Sequence, residues 1–317
     1  MDKLSKDIQA DSNQPESKAS TKLDISNQTD LDVLHDLSDS NLIIRLLGDW
    51  IDRNIKEIIE AIKRVRTITE INFFRPSLVL SQEIQKIISE FEGTDFEHVK
   101  SVTLSFNEKE AQDQIVQNFK SWISKLKLTK IDLNFEDCIV SNEGMKYAQE
   151  IIQDQASTLE SIVLNLRKLK SVDDEGLGYL MTGVSKINNL HSFKLLLGHN
   201  YNITDIGLEA VKKALENGLL LEKVFIEIWG SEDITSKGIN HIMEGVKSLT
   251  KLESFCLTSK YNTKINNQAF KKMKAGFTNK PNLKFVKLDF GNNKKIDAKG
   301  LDYLAEGIKH LTSDRKS

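Results

Sequence analysis

Five segments, beginning at Leu159 (LESIVLNL), Leu190 (LHSFKLLL), Leu221 (LEKVFIEI), Leu252 (LESFCLTS) and Leu283 (LKFVKLDF), recur at one constant step along the chain. The same step taken backwards from Leu159 reaches Leu128 (LTKIDLNF). A slightly shorter one reaches Val99 (VKSVTLSF), and another full one reaches Ile68 (ITEINFFR). Eight units therefore account for nearly everything from residue 68 to the end. No unit of this length can bury its own apolar face, so a chain with this period must stack its units on one another.

The first half of each unit alternates apolar and polar residues, the mark of a strand with one buried face. The second half begins at Gly144, Gly176, Gly207, Gly238, Ala269 and Gly300. There Leu208, Val211 and Leu215 recur as Ile239, Ile242 and Val246, then as Phe270, Met273 and Phe277. That spacing places one apolar stripe along a helix. Beside the stripe stands a small residue: Gly183, Ala214, Gly245, Gly276 and Gly307. A helical Gly costs about 1 kcal/mol relative to Ala, so its recurrence implies a close backbone approach, here assigned to helix against strand.

These residues resemble the ribonuclease-inhibitor-like class of leucine-rich repeats, LxxLxLxxN followed by I-x-D-x-G and a helix, over residues 68 to 311. The resemblance implies an α/β solenoid, a horseshoe of about eight strand–helix units with a parallel concave sheet and outer helices. The place of the family's corner Asn is held by Cys138, Leu169, Asn200, Ser231, Asn262 and Asn293. An inward polar side chain there satisfies backbone groups where strand turns to helix. Leu169 cannot, so a looser corner is expected around it. The units exceed the family norm between strand and helix (HNYN, GSED, KYNT, GNNKK), which predicts extended loops along one rim.

Upstream of the repeats two further regions are expected. Residues 1–39 are polar and acidic and contain no aromatic side chain. Such a segment buries too little apolar surface to offset its ordering entropy, so it reads as a disordered acidic tail. Residues 40–67 open with helix-capping chemistry at Ser38–Asn41 and continue with Leu47, Ile51, Ile55, Ile58, Ile62 and Val65 at helical spacing. They read as an amphipathic helix that caps the first unit of the solenoid at 68–317.

Little in the chain suggests chemistry. A net charge of -2 and a pI near 6.3 give no reason to expect nucleic acid as a partner. The opening residues carry no apolar signal segment, and no apolar run is long enough to span a bilayer. The expected compartment is the cytoplasm, with the nucleus as the alternative. No phosphate loop, dinucleotide fingerprint, metalloprotease helix, nucleophile elbow or kinase landmark occurs, so no cofactor, metal site or catalytic residue is expected. Six His lie scattered over different units and the tail, and read as solvated or capping residues. Of the two Cys, Cys138 falls at a corner and reads as buried. Cys256 falls on the open strand face and reads as accessible to modification.

The repeat register lays out that open face. One outward column reads Asn72, Thr103, Asp132, Val163, Lys194, Phe225, Cys256, Lys287, and the next Phe74, Ser105, Asn134, Asn165, Leu196, Glu227, Thr258, Asp289. A third reads Arg167, Gly198, Trp229, Lys260, Gly291. Val163, Leu196, Phe225, Trp229 and Cys256 are contiguous in this map, ringed by Arg167, Lys194, Glu227 and Lys260. Aromatic anchors inside a charged rim are how binding hot spots are built. The alternatives are ordinary isolated exposure or long loops folded over Trp229.

From Lys251 to Lys287 nine Lys face a single acid, Glu253. The run reads either as a surface for an acidic partner or the acidic tail, or as solvated helix faces. Strand 286–290 would lie at the sheet edge, where pairing with a second copy is expected. The functional expectation is a non-catalytic protein–protein interaction scaffold that uses its concave face, in its structural variant a subunit of a cytoskeletal or ciliary assembly. The alternative is a GTPase-activating protein of the Ran type, which resembles the same repeat class. Those proteins carry an acidic C-terminal tail, whereas this sequence ends Ser-Asp-Arg-Lys-Ser. A GTP-hydrolysis assay on small GTPases separates the two.

Overall fold

The computed structural model describes residues 21–28, 30, 42–46, 53–54, 56–58, 60–61, 68–74, 81–82, 98–106 and 112–309. Among them ten strands form one parallel sheet in sequence order. The eight expected strands are β3 (Ile68–Phe74), β4 (Ser101–Ser105), β5 (Lys130–Asn134), β6 (Ser161–Asn165), β7 (Ser192–Leu196), β8 (Lys223–Glu227), β9 (Ser254–Thr258) and β10 (Phe285–Asp289). Ser101 stands opposite Lys130, Lys130 opposite Ser161, and the pairing goes on through Ser192, Lys223 and Ser254 to Phe285. These partners advance by the same steps as the segment starts read along the chain. The sequence period is thus the register of the sheet.

Helices α1 (Asp113–Ile123), α2 (Asn142–Asp154), α3 (Asp174–Val184), α4 (Asp205–Asn217) and α5 (Ser236–Val246) connect successive strands. In the next unit a 3-10 turn, Asn267–Phe270, precedes a short α6 (Met273–Phe277), and α7 (Ala298–Ile308) follows β10. Consecutive helices pack on each other. Strands repeat at about 4.8 Å and packed helices at about 8–10 Å, so the stack bends with its sheet on the inner, concave side. One core runs through it, with Ile131, Leu164, Leu195, Ile226, Phe255 and Leu257 fully buried on the strand face and Leu177, Leu208 and Ile239 on the helix face. This is a leucine-rich-repeat solenoid of the ribonuclease-inhibitor-like type.

Two expectations about the N-terminal region are corrected. β1 (Thr21–Ile25) lies inside the segment read as a disordered tail, and β2 (Leu42–Leu46) lies where the capping helix was to begin. β1 pairs with β2 and β2 with β3, so the sheet continues past the first repeat. Asp24 stands opposite Arg45, and the Arg45 guanidinium donates to both carboxylate oxygens of Asp24. The described residues between 53 and 61 are helical, with Ile58 and Ala61 buried and Arg53, Lys56 and Glu57 exposed. That helix therefore joins two parallel strands as in any other unit. The stretch Leu42-Ile-Ile-Arg-Leu fits helical and strand periods equally, and its pairing partners on both sides decide for the strand. The remainder of the expected tail and helix lies outside the described residues.

The recurrent small residues seal helix to helix, not helix to strand. A Cβ on Gly183 would meet the Gln149 carbonyl at 3.1 Å, and one on Gly245 the Lys212 carbonyl at 3.0 Å. Both carbonyls belong to the preceding helix.

At the corners, the residue before each expected position adopts a left-handed backbone: Asp137, Lys168, His199, Gly230, Tyr261 and Asn292, with φ between 57° and 67°. The corner side chains behind them form a ladder. Asn200 accepts from the Leu169 N–H (2.8 Å) and donates to the Leu166 carbonyl (2.7 Å). Asn262 does the same for Ser231 and Ile228, and Asn293 for Asn262 and Ser259. Each side chain serves the unit before it, so the Leu169 corner is not loose. The rung that Leu169 omits belongs one unit upstream, where the Cys138 N–H bonds the Phe135 carbonyl at 3.1 Å.

Candidate functional site

The concave columns follow the predicted register throughout. Val163, Lys194, Phe225 and Cys256 are successive partners along one column, and Asn165, Leu196, Glu227 and Thr258 along the next. Beyond the strands the Lys168, His199 and Gly230 amides bond the Gly198, Trp229 and Lys260 carbonyls, which carries the alignment through the third column. The nine expected site residues are therefore neighbours.

Their exposure differs from the expectation. Leu196 and Cys256 are 5% exposed and Glu227 is 8% exposed, while Val163, Arg167, Lys194, Phe225, Trp229 and Lys260 are half-buried. Cys256 was expected on the open face; it is covered, and burial pushes its thiol pKa up, so it is a poor nucleophile. Cys138 is buried as expected.

Side chains from different units meet across the centre. The Arg167 Nε and Nη2 donate to the two oxygens of Glu227 at 2.6 and 2.7 Å, a bidentate pair that spans the intervening β7 unit. Burial works against the Arg167 charge, but Glu227 outweighs it and raises the pKa. The Trp229 indole N–H donates to the same Glu227 at 2.6 Å. Gly198 makes this crossing feasible, since a Cβ there would stand 2.6 Å from Trp229 Nε1. The reciprocal contact is made by His199, whose ring lies 4.3 Å from that of Trp229 and occupies the space a Cβ on Gly230 would need. Gly198-His199 and Trp229-Gly230 thus interlock, each ring filling the gap left by the other unit's glycine.

Around this centre the Lys194 ammonium stands 5.2 Å from the Phe225 ring, within cation–π range. Lys260 pairs with Asp289 at 2.7 Å, and Glu136 faces Arg167, Lys168 and Asn165. In the N-terminal part of the same face Asp132 has its pKa raised by burial, against the opposing pull of Lys130 and Lys194. Glu136, Asn165 and His199 were not foreseen as part of the site. Only the Gly-His and Trp-Gly dipeptides, one unit apart, offered a sequence signal for the third of them.

The Lys-rich stretch does not present a bare basic surface. Lys264 pairs with Asp233, Lys272 with Glu244, Lys274 with Glu306, and Lys284 with Glu253. Lys280 is buried, donates to the Lys247 carbonyl at 2.9 Å, and has its pKa lowered by burial to about 8. Apart from Glu253, these acids lie outside the linear run, on neighbouring units.

Among the described residues no helix is long and apolar enough to cross a membrane, and no three His, Cys, Asp or Glu converge as metal ligands would. No family model and no curated protein matches the sequence. Solved structures that it resembles include the leucine-rich repeat-containing protein LegL7 of Legionella pneumophila, at 14% identity and a TM-score of 0.46 over 91% of this chain and 97% of that one. They also include the tropomodulin C-terminal domain of Caenorhabditis elegans, at 13% identity and a TM-score of 0.37 over 54% of this chain and 97% of that one.

Proposed function

We propose that this protein is a non-catalytic scaffold that binds a protein partner on its concave face, centred on Phe225 and Trp229. The observation that carries the reading is the fixed pose of Trp229. Its indole is bonded to Glu227, wedged over Gly198 and braced by His199. An aromatic side chain held in place before encounter has little rotamer entropy left to lose on binding. Arg167, Lys194 and Lys260 supply the polar rim around it. In its structural form the scaffold is a subunit of a larger assembly, in which case it sediments with that assembly and not alone.

Affinity capture followed by mass spectrometry, run in parallel on the wild type and a Phe225→Ala/Trp229→Ala variant, tests the site. Central aromatic anchors contribute about 2 kcal/mol or more each, so the partner is expected to disappear from the variant's capture. Identical captured sets, with circular dichroism showing an intact fold, overturn the assignment.

A further inference from the structure

The two ends of the sheet are not alike. At the β1 end Ile25 is fully buried. At the β10 end Leu301 is 58% exposed and Ile308 37%, although their counterparts one unit earlier, Phe270 and Phe277, are buried. On the opposite, concave face of the same strand Phe285 is 54% exposed. An open groove of about 410 Å³ lies between the loop after β10 and the first turn of α7, lined by Phe290, Asn293, Ile296 and Leu301.

The backbone of this end is also poised for a partner strand. The amide following each inner strand bonds the next strand: Leu166 to Leu196, Leu197 to Glu227, Ile228 to Thr258, and Ser259 to Asp289. The corresponding amide in the last unit is that of Phe290, and among the described residues β10 is the last strand of the sheet. By strand alternation Val286, Leu288 and Phe290 aim their N–H and C=O groups outward, while Phe285 bonds inward to Glu253.

A further repeat in register is not what this end is built for. Helices α2 to α5 and the 3-10 turn begin with Asn142, Asp174, Asp205, Ser236 and Asn267, whose side chains hold the cap residue of the following unit. α7 begins with Ala298, which has no such group.

We propose that the β10 end binds a second copy of this chain through an antiparallel β10–β10 pair on a two-fold axis at Leu288. In that register Leu288 faces Leu288 of the second copy and Val286 faces Phe290, so outward-bonding residues meet outward-bonding residues. On the other face Lys287 meets Asp289 of the second copy, and the two-fold makes this pair twice. The strand Phe285-Val-Lys-Leu-Asp-Phe290 is self-complementary in hydrogen bonding, apolar contact and charge. The two sheets become one, and the exposed Leu301 and Ile308 of both copies gain cover at the seam.

The test is the concentration-dependent mass of the full chain by sedimentation equilibrium. The wild type is expected to form a dimer and no larger species. Val286→Pro removes an outward N–H that β9 does not use and should leave a folded monomer. Lys287→Asp replaces two attractive cross-strand pairs with two repulsive ones and should weaken dimerisation about tenfold. Lys287→Asp/Asp289→Lys restores opposite charges across the seam and, with Lys260→Asp added to keep the pair that residue 289 makes within the chain, should recover it; this result reads the proposal even where the proline variant fails to fold. A wild type that stays monomeric, a dimer indifferent to Lys287→Asp, or open-ended growth each overturns the proposal. So does a monomer that dimerises only once residues 310–317 are removed, because that segment would then be the occupant.

Discussion

The strand-to-helix corners and the helix N-termini both hold orphan backbone groups with a row of side chains that reach back or forward one unit, but they use different chemistry. At the corners the row is Leu169, Asn200, Ser231, Asn262 and Asn293, and it tolerates a gap. Where Leu169 offers nothing, the Cys138 N–H and the Phe135 carbonyl bond each other. At the helix N-termini the row is Asp113, Asn142, Asp174, Asp205, Ser236 and Asn267. Asp174 alone accepts from the Thr204 N–H (2.8 Å), the Thr204 hydroxyl (2.6 Å) and the Gly207 N–H (2.9 Å). A Cβ on Gly207 would stand 2.6 Å from that carboxylate, and Gly144, Gly176, Gly238 and Gly300 meet the equivalent side chain of their preceding unit. The exception in this row is Ala269, and there the reaching residue is Ser236, the shortest of the set. Corner rungs have a backbone fallback. N-terminal rungs are matched in size to the glycine they cover, because nothing else fills that space.

The sharpest way to break this contrast is Gly207→Val. It drives out the Asp174 carboxylate and orphans the backbone it holds, with an expected loss of about 3 kcal/mol in denaturant unfolding. Gly207→Ala should cost less and be largely recovered by Asp174→Ser, which copies the natural Ser236–Ala269 pair. A double variant no more stable than Gly207→Ala alone would show that the pairing of sizes is coincidence. Asn262→Leu transplants the natural gap to another corner. It removes bonds to Ser231, Ile228 and the Ser259 hydroxyl, and a loss of about 2 kcal/mol is expected, limited by the backbone fallback.

The helix C-termini offer a third, pH-dependent case. Lys280 caps the Lys247 carbonyl with an amine whose pKa burial lowers from 10.5 to about 8. Below about 8 the folded state holds a charge that burial penalises, and the unfolded chain keeps its proton up to about 10.5. Stability contributed by this site therefore rises as pH climbs between those values. Relative to Lys280→Met, the wild type should gain on the order of 1 kcal/mol from pH 7 to pH 10, measured as the difference between the two unfolding curves. A constant difference would remove the burial argument. The smallest effect is expected from Leu169→Asn, which supplies the missing rung to a corner that already manages without it. A gain within about 0.5 kcal/mol would fit a working fallback, and a gain near the Asn262→Leu loss would refute it.

The repeat, the strand register and the assignment of Val163, Phe225 and Trp229 to one face were legible in the sequence. Strand alternation and a constant repeat step determine them locally, and the pairing follows that step without deviation from Lys130 onward. β1 and β2 were not legible. Thr21 pairs with Leu42 and Leu42 with Ile68, two unequal steps that are both shorter than the repeat, so no period announces them. Nor could periodicity foretell the state of the candidate site. Leu196 and Cys256 are buried although their column faces outward, Arg167 reaches Glu227 two units away, and Trp229 lies over a glycine one unit away. Which residues face the concave surface was decided by the chain's own period. What stands exposed there was decided only by packing between units, since exposure belongs to neighbours that the linear order keeps apart.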